Sequence, residues 1–136
     1  LPSSPGSVSG TCTPSADEPV HILGLIPHMH QLGRHVTMTI QRANGAMEVM
    51  HDAPFEFESQ GYYPKQLVLE PGDTVHTRCD YMNDTFAFVS LGEQTTDEMC
   101  YMFTLAYPVG SMNTGGDLID PISGQPVVQG PNRCMR

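Results

Sequence analysis

The sequence predicts an all-β protein, an antiparallel β-sandwich of jelly-roll type with about eight strands. Three observations carry this. Thirteen glycines and twelve prolines punctuate the 136-residue chain at short intervals between apolar runs, so no segment sustains a helical repeat. Several of those runs alternate polar and apolar residues with a period of two, the signature of half-buried strands. Hydrophobic residues make up 39% of the chain and charged ones 15%, which is too apolar for a disordered polymer and requires a core. A chain of this length forms one domain and buries roughly two thirds of the surface its unfolded form exposes.

Residues 1–19, LPSSPGSVSGTCTPSADEP, are rich in Ser, Pro and Gly. They read as an extended arm whose first ordered point is Cys12, with a flexible N-terminal arm at 1–11 and a single domain at 12–136. Val20 to Ile26 is the first strand. Arg34 to Arg42 alternates, with Val36, Met38 and Ile40 on one face and Thr37, Thr39 and Gln41 on the other. Asn44-Gly45 signals a type I′ turn, so Ala46 to His51 folds back as the second arm of a hairpin. Gln66 to Glu70 is a further strand, closed by the turn Pro71-Gly72-Asp73. Beyond it Val75, Thr77, Cys79 and Tyr81 share one face of Thr74 to Met82. Phe86 to Ser90 and Met99 to Tyr107 complete the set, a strand density typical of sandwiches and jelly rolls. The tail after Pro108 is irregular and wraps the sandwich until Cys134 fastens it.

Charge and length exclude several functions. Six Lys plus Arg against fifteen Asp plus Glu leave a net charge of −9, so no basic patch replaces phosphate counterions and nucleic acid is excluded as a partner. The longest apolar stretch, 22–27, is far shorter than the roughly 20 residues of a membrane span. The N-terminus lacks a signal-peptide pattern, and the reading is of a soluble chain with no membrane partner. It opens on Leu1 rather than a methionine, as a processed protein or an excised piece would. Four cysteines without a CxxC pair fit two disulfides better than a zinc site. That places the protein in an oxidising compartment, secreted, extracellular or periplasmic.

Two local features carry chemistry. In His28-Met29-His30 an extended backbone puts both imidazoles on one side, roughly 6.6 Å apart at about 3.3 Å per residue. They can share a metal, although two solvent-facing histidines on a sheet are the bland alternative. In Asp97-Glu98-Met99-Cys100 a methionine between carboxylates and a cysteine opens an apolar strand, and packing alone explains such a residue. Taken together, two imidazoles and one thioether suit copper, because soft sulfur favours Cu(I) and imidazole serves both oxidation states. Met29 lies between the two histidines and points away from the metal. His21, His35, His51 and His76 are isolated in sequence and read as surface or capping residues. Met38, Met47, Met50 and Met102 have spacings compatible with packing.

HMHQLGRHV at 28–36, EPGDTVHTRCDY at 70–81, and Gly92 followed by TDEMC at 96–100 and Tyr107-Pro108 resemble the second half of the copper type II, ascorbate-dependent monooxygenases. That family includes peptidylglycine α-hydroxylating monooxygenase and dopamine β-monooxygenase. The resemblance runs from about Cys12 to Cys134 and implies a copper-binding jelly-roll domain, the C-terminal half of a two-domain enzyme. It places His28, His30 and Met99 on the ligands of the copper that activates O₂ and abstracts a substrate hydrogen atom, with one copper per chain. It also implies disulfides Cys79–Cys100 and Cys12–Cys134.

The family's reaction uses a second copper, held by three histidines of a preceding domain and reduced by external ascorbate. This chain has no His-His pair and no such domain. The implied partner is therefore an N-terminal histidine-copper domain or an external electron donor, and the chain alone is inactive in hydroxylating a small-molecule substrate. The competing readings are a stand-alone copper-binding module that carries or stores copper without turnover, and a structural jelly roll with vestigial ligands. Peptide-hydroxylating relatives place an arginine two residues before the first copper histidine, and an asparagine and a tyrosine after DEMC. Here Ile26, Tyr101 and Phe103 occupy those substrate-pocket positions. An apolar side chain offers a carboxylate no charge-assisted hydrogen bond, which implies a neutral or cationic substrate with an apolar face.

Overall fold

Backbone pairing explains the architecture better than side-chain pattern alone. The computed structural model describes residues 2–112 in full and, beyond them, only the backbone of 118–119, 126–127 and 134–135. Seven main strands follow in chain order: β1 (Ser4–Pro14), β2 (Val20–His28), β3 (Gly33–Gln41), β4 (Met47–Pro54), β5 (Tyr63–Leu69), β6 (Thr74–Asn83) and β7 (Tyr101–Tyr107). Three two-residue strands lie further on, β8 (Leu118–Ile119), β9 (Pro126–Val127) and β10 (Cys134–Met135). The single helical element among the described residues is a 3₁₀ turn at Phe57–Ser59. One sheet has the order β10-β1-β6-β3-β4, the second β5-β2-β7, and β8 pairs with β9. Every strand pairing is antiparallel, so the expected all-β sandwich is the observed fold.

The strand β3 behaves as its alternation requires. Val36, Met38 and Ile40 are buried, while Thr37 and Thr39 are half-buried and Gln41 is exposed. Met38 and Ile40 join Val20, Ile22 and Leu25 of β2, Leu69 of β5 and Val75 of β6 in the main core. Full burial of each such side chain stabilises by about 1.5–3 kcal/mol. A smaller cluster of Met29, Val36, Phe55 and Cys79 packs beside it. Met29 is fully buried there, pointing into the core as expected of the residue between the two histidines. The core thus reaches directly beneath the HMH segment.

Four expectations are corrected. Residues 4–11 of the expected flexible arm form most of β1, which pairs in register with β6 from Ser4 opposite Asn83 to Cys12 opposite Val75. Ladder hydrogen bonds need only backbone groups, so a Ser- and Gly-rich segment can fill a sheet position that its composition does not advertise. Phe86 to Ser90 is not a strand. Asn83 accepts from the Thr85 amide and hydroxyl and donates to the Ala87 carbonyl, organising a loop that leaves Phe86 95% exposed. The last long strand begins at Tyr101, not at Met99. The hairpin after β3 is not type I′. Gly45 takes φ +89° while Asn44 stays out of the left-handed region, and Gly45 N donates to Arg42 O at 2.8 Å, which is a type I turn closed by a left-handed glycine.

The turn Pro71-Gly72-Asp73 forms as expected, with Gly72 at φ +91°. Asp73 anchors it from a buried position, accepting from the amides of Ala43 and Glu70 and from Arg42. Arg42 also pairs with Glu48, tying the β3–β4 hairpin to the β5–β6 turn. Burial pushes the Asp73 carboxyl up, but Arg42 and the two amides outweigh it and hold the group below the usual carboxylate range.

Candidate metal centre

A β-bulge decides which way His28 faces. In β2, Val20 and Ile22 point inward, and the register against both neighbours shifts between Ile22 and Gly24. The extra residue, Leu23, inverts the alternation, so that Leu25 and Pro27 are buried while Ile26 and His28 face outward. Without it, His28 would share the inward face of Ile22. Gly24 lies under the Tyr62 ring, which a Cβ at that position would strike.

The sheet then assembles an outward apolar face around His28. Ile26 lies opposite Phe103, and His28 opposite Tyr101. The Tyr101 and Phe103 rings stack with centroids 5.5 Å apart, and Phe103 lies 5.9 Å from the His28 ring. Ile26, Tyr101 and Phe103 are 39%, 47% and 52% exposed, large apolar side chains open to a ligand or a second domain. All three candidate pocket residues are thereby brought beside one member of the histidine pair.

His28 and His30 stand with ring centroids 5.4 Å apart and planes nearly perpendicular. The tautomer of each follows from its neighbour. His30 Nδ1 is 2.9 Å from the carbonyl oxygen of Asp97, which can only accept, so Nδ1 carries the proton and Nε2 the lone pair. His28 Nδ1 is 2.8 Å from Gln60 Oε1. The Gln60 amide is oriented by its own donation to the Phe57 carbonyl at 3.1 Å, which again makes Nδ1 the donor. Among the described residues neither Nε2 has a partner. Two neighbouring imidazoles that both present Nε2 lone pairs, with Nδ1 fixed by an acceptor, are what a metal pair needs.

Met99 is placed by its neighbours. Glu98, 6% exposed, accepts from the amides of His30 at 3.0 Å and Leu32 at 2.6 Å. The Tyr81 hydroxyl donates to the Met99 carbonyl at 2.8 Å. Burial, with Glu98 adding to it, pushes the Tyr81 phenol up, so it remains a donor at any physiological pH. Cys100 is bonded to Cys79, with Cα atoms 5.8 Å apart. Among the described residues no three His, Cys, Asp or Glu side chains gather as a ligand set. Met99 itself is half-buried on this tied 97–100 segment. Cys12 is itself disulfide-bonded, and the side chain of its expected partner, Cys134, lies outside the described residues.

The remaining histidines are dispersed. His35 pairs with Asp52, His76 with Gln41, and His21 stacks on Tyr107, all compatible with surface roles. His51 departs from expectation. It is 6% exposed and its Nε2 is buried without a partner, because a bulge beside Met38 and Thr39 inverts the alternation of β4. Gln60, Phe57 and Tyr81 were not singled out by sequence reasoning. Gln60 and Tyr81 act through contacts made across the fold, and Phe57 through its carbonyl on Gln60; no motif in the sequence marks them.

An antiparallel sandwich with an imidazole pair, His28 half-buried and His30 buried, and a tethered methionine segment defines a candidate copper-binding β-domain. Residues 3–123 match the family described as copper type II ascorbate-dependent monooxygenase, C-terminal domain, and the chain belongs to that family. Its curated relatives include proteins named DBH-like monooxygenase protein 1. The human, chicken and mouse proteins are 28%, 30% and 27% identical over 93 residues, which is 65% of this chain. The chain spans 15% of the length of each. The family is copper- and ascorbate-dependent. No helix among the described residues is long and apolar enough to cross a membrane.

Proposed function

We propose that the chain is the oxygen-activating domain of a copper monooxygenase, with one copper held by His28 Nε2, His30 Nε2 and the Met99 sulfur. The observation that carries this is the locked tautomer of both imidazoles. A histidine pair serving only as sheet surface has no need for two acceptors aimed at Nδ1, whereas a ligand pair does. The donor set suits a copper that cycles between oxidation states, since thioether favours Cu(I) and imidazole both. Copper there supplies one-electron chemistry toward O₂ and a substrate C–H bond.

The chain's own residues supply orientation and substrate surface. Gln60 and the Asp97 carbonyl hold the rings. Ile26, Tyr101 and Phe103 offer an apolar platform beside His28, and none of the three is a cation that could anchor a carboxylate. The substrate is therefore a neutral or cationic small molecule with an apolar face, and the net charge of −9 disfavours anions further. The electrons come from ascorbate through an N-terminal histidine-copper domain or another external donor. The disulfides fit a secreted or vesicular protein.

Copper titration of the metal-free chain against chromogenic chelators tests the reading. One equivalent binds. Met99→Ile weakens Cu(I) much more than Cu(II), and His28→Ala weakens both. Unchanged Cu(I) affinity in Met99→Ile would reduce Met99 to a packing residue and remove the proposed site.

A further inference from the structure

Glu98 is the point at which the two ligand-bearing segments meet. Its carboxylate is nearly fully buried and each oxygen takes one backbone amide, His30 N on Oε2 and Leu32 N on Oε1. Its own backbone is held on the other side, its amide donating to Ser90 O at 2.9 Å and its carbonyl accepting from Gly92 N at 3.0 Å. The carbonyl of the preceding residue, Asp97, accepts a hydrogen bond from His30 Nδ1. The following residue is Met99, fixed through its carbonyl by Tyr81, and the next is covalently joined to β6 through Cys79. One three-residue stretch therefore grips His30 by amide and ring and carries the thioether.

We propose that Glu98 is a positioning residue that sets the placement of Met99 relative to the His28–His30 pair, and so decides whether sulfur and imidazole can act on one copper. This rests on the copper-site reading given above. A carboxylate suits the task because it offers two acceptors and no donor, matching two amides two residues apart. Glutamine retains one acceptor and turns a donor toward the second amide. Aspartate carries the same two acceptors on a side chain one methylene shorter, so its carboxylate sits further from both amides. Charge-assisted bonds from buried amides are among the stronger in proteins, so the join is rigid.

The test uses the copper-loaded chain and four forms: unaltered, Glu98→Gln, Met99→Ile and the double variant. Cu(I) and Cu(II) affinities come from chelator competition, and the copper–sulfur contact from X-ray absorption of the Cu(I) form. The expected result is that Glu98→Gln keeps the Cys79–Cys100 disulfide but loses copper–sulfur scattering. Its Cu(I) affinity falls about 10- to 100-fold, the range for groups that orient ligands, with a smaller fall for Cu(II). The double variant is no weaker toward Cu(I) than the weaker single one. Retained sulfur scattering in Glu98→Gln, or losses that multiply in the double variant, would overturn the proposal. Unchanged Cu(I) affinity in Met99→Ile would instead sink the ligand assignment itself, and is read separately from that arm. Should Glu98→Gln not fold, amide exchange in the unaltered metal-free chain decides: slow exchange at His30 and Leu32 supports the clamp, and exchange at open-chain rates refutes it.

Discussion

The His30 ring donates through Nδ1 to the carbonyl oxygen of Asp97 across 2.9 Å, joining positions 67 residues apart. Because the acceptor is backbone, no side-chain substitution at Asp97 abolishes it. His28 depends instead on the side chain of Gln60, in the connection between β4 and β5. The two imidazoles are thus equivalent in tautomer and unequal in how they are secured.

That inequality makes Gln60 sensitive. Gln60→Leu frees the His28 ring to rotate and to change tautomer. Copper affinity should fall about 10- to 100-fold, as for other partners that orient metal-bound histidine, with the fold unchanged. Asp97→Asn, which retains the carbonyl, should leave affinity within a few-fold. Chelator competition on both variants measures the contrast.

Removing the Cys79–Cys100 bridge should cost about 3 kcal/mol by the chain-entropy estimate for a loop of this size. Urea denaturation of Cys79→Ala/Cys100→Ala against the unaltered chain reads the loss. Peptide mapping without reduction should show Cys79 joined to Cys100 and Cys12 joined to Cys134. A Cys12–Cys79 peptide would break both assignments.

His51 should make the fold acid-sensitive. Burial holds its pKa below the ordinary histidine value of 6.5, and Lys65 on β5 adds to the effect, while Asp52 opposes it and His35 lowers it further. The unfolded chain therefore binds this proton more readily than the folded one. Stability from His51 is fully present above pH 6.5 and is lost as pH falls through that value toward the depressed folded pKa. The melting temperature of the metal-free chain should drop across that window. His51→Phe should flatten the drop, and an unchanged slope would refute the assignment.

Asp73→Ala should be among the more damaging single changes. It leaves the amides of Ala43 and Glu70 without their acceptor and takes one of three acceptors from the Arg42 guanidinium, which keeps Glu48 and the Val68 carbonyl. An unsatisfied buried group costs about 1–3 kcal/mol; these amides are part-buried, so a loss of about that size or somewhat less is expected in denaturant unfolding. Glu48→Ala removes a half-exposed partner of the same arginine and should cost less than about 1 kcal/mol.

The chain alone should not sustain ascorbate-driven hydroxylation, because one copper supplies too few electrons for O₂ reduction coupled to C–H cleavage. An acylated, glycine-ended dipeptide should not bind the copper-loaded chain specifically in calorimetry. Multiple turnovers in the presence of catalase would refute the first statement. Micromolar binding lost on amidation of the peptide would refute the second.

The sequence by itself determined the fold class, the faces of β3, the Pro71-Gly72-Asp73 turn and the outline of the candidate ligand set. Each is a local property: a period of two, a turn dipeptide, two histidines two residues apart, a short motif. Tertiary structure alone decided which way Ile26, His28 and His51 face. Alternation predicts sides only until a bulge intervenes, and a bulge is set by register against the neighbouring strands. Leu23 in β2 turns Ile26 and His28 outward, and the bulge in β4 turns His51 inward while Val49 stays 63% exposed. The strand β1 was hidden for a related reason, since ladder bonds to β6 use backbone groups that Ser and Gly carry as well as Val does. The partners that orient the histidines, Gln60 and the Asp97–Glu98 pair, lie 32 and 66 to 68 residues away in sequence. Only folding brings their oxygens within hydrogen-bonding distance of His28, His30 and Leu32.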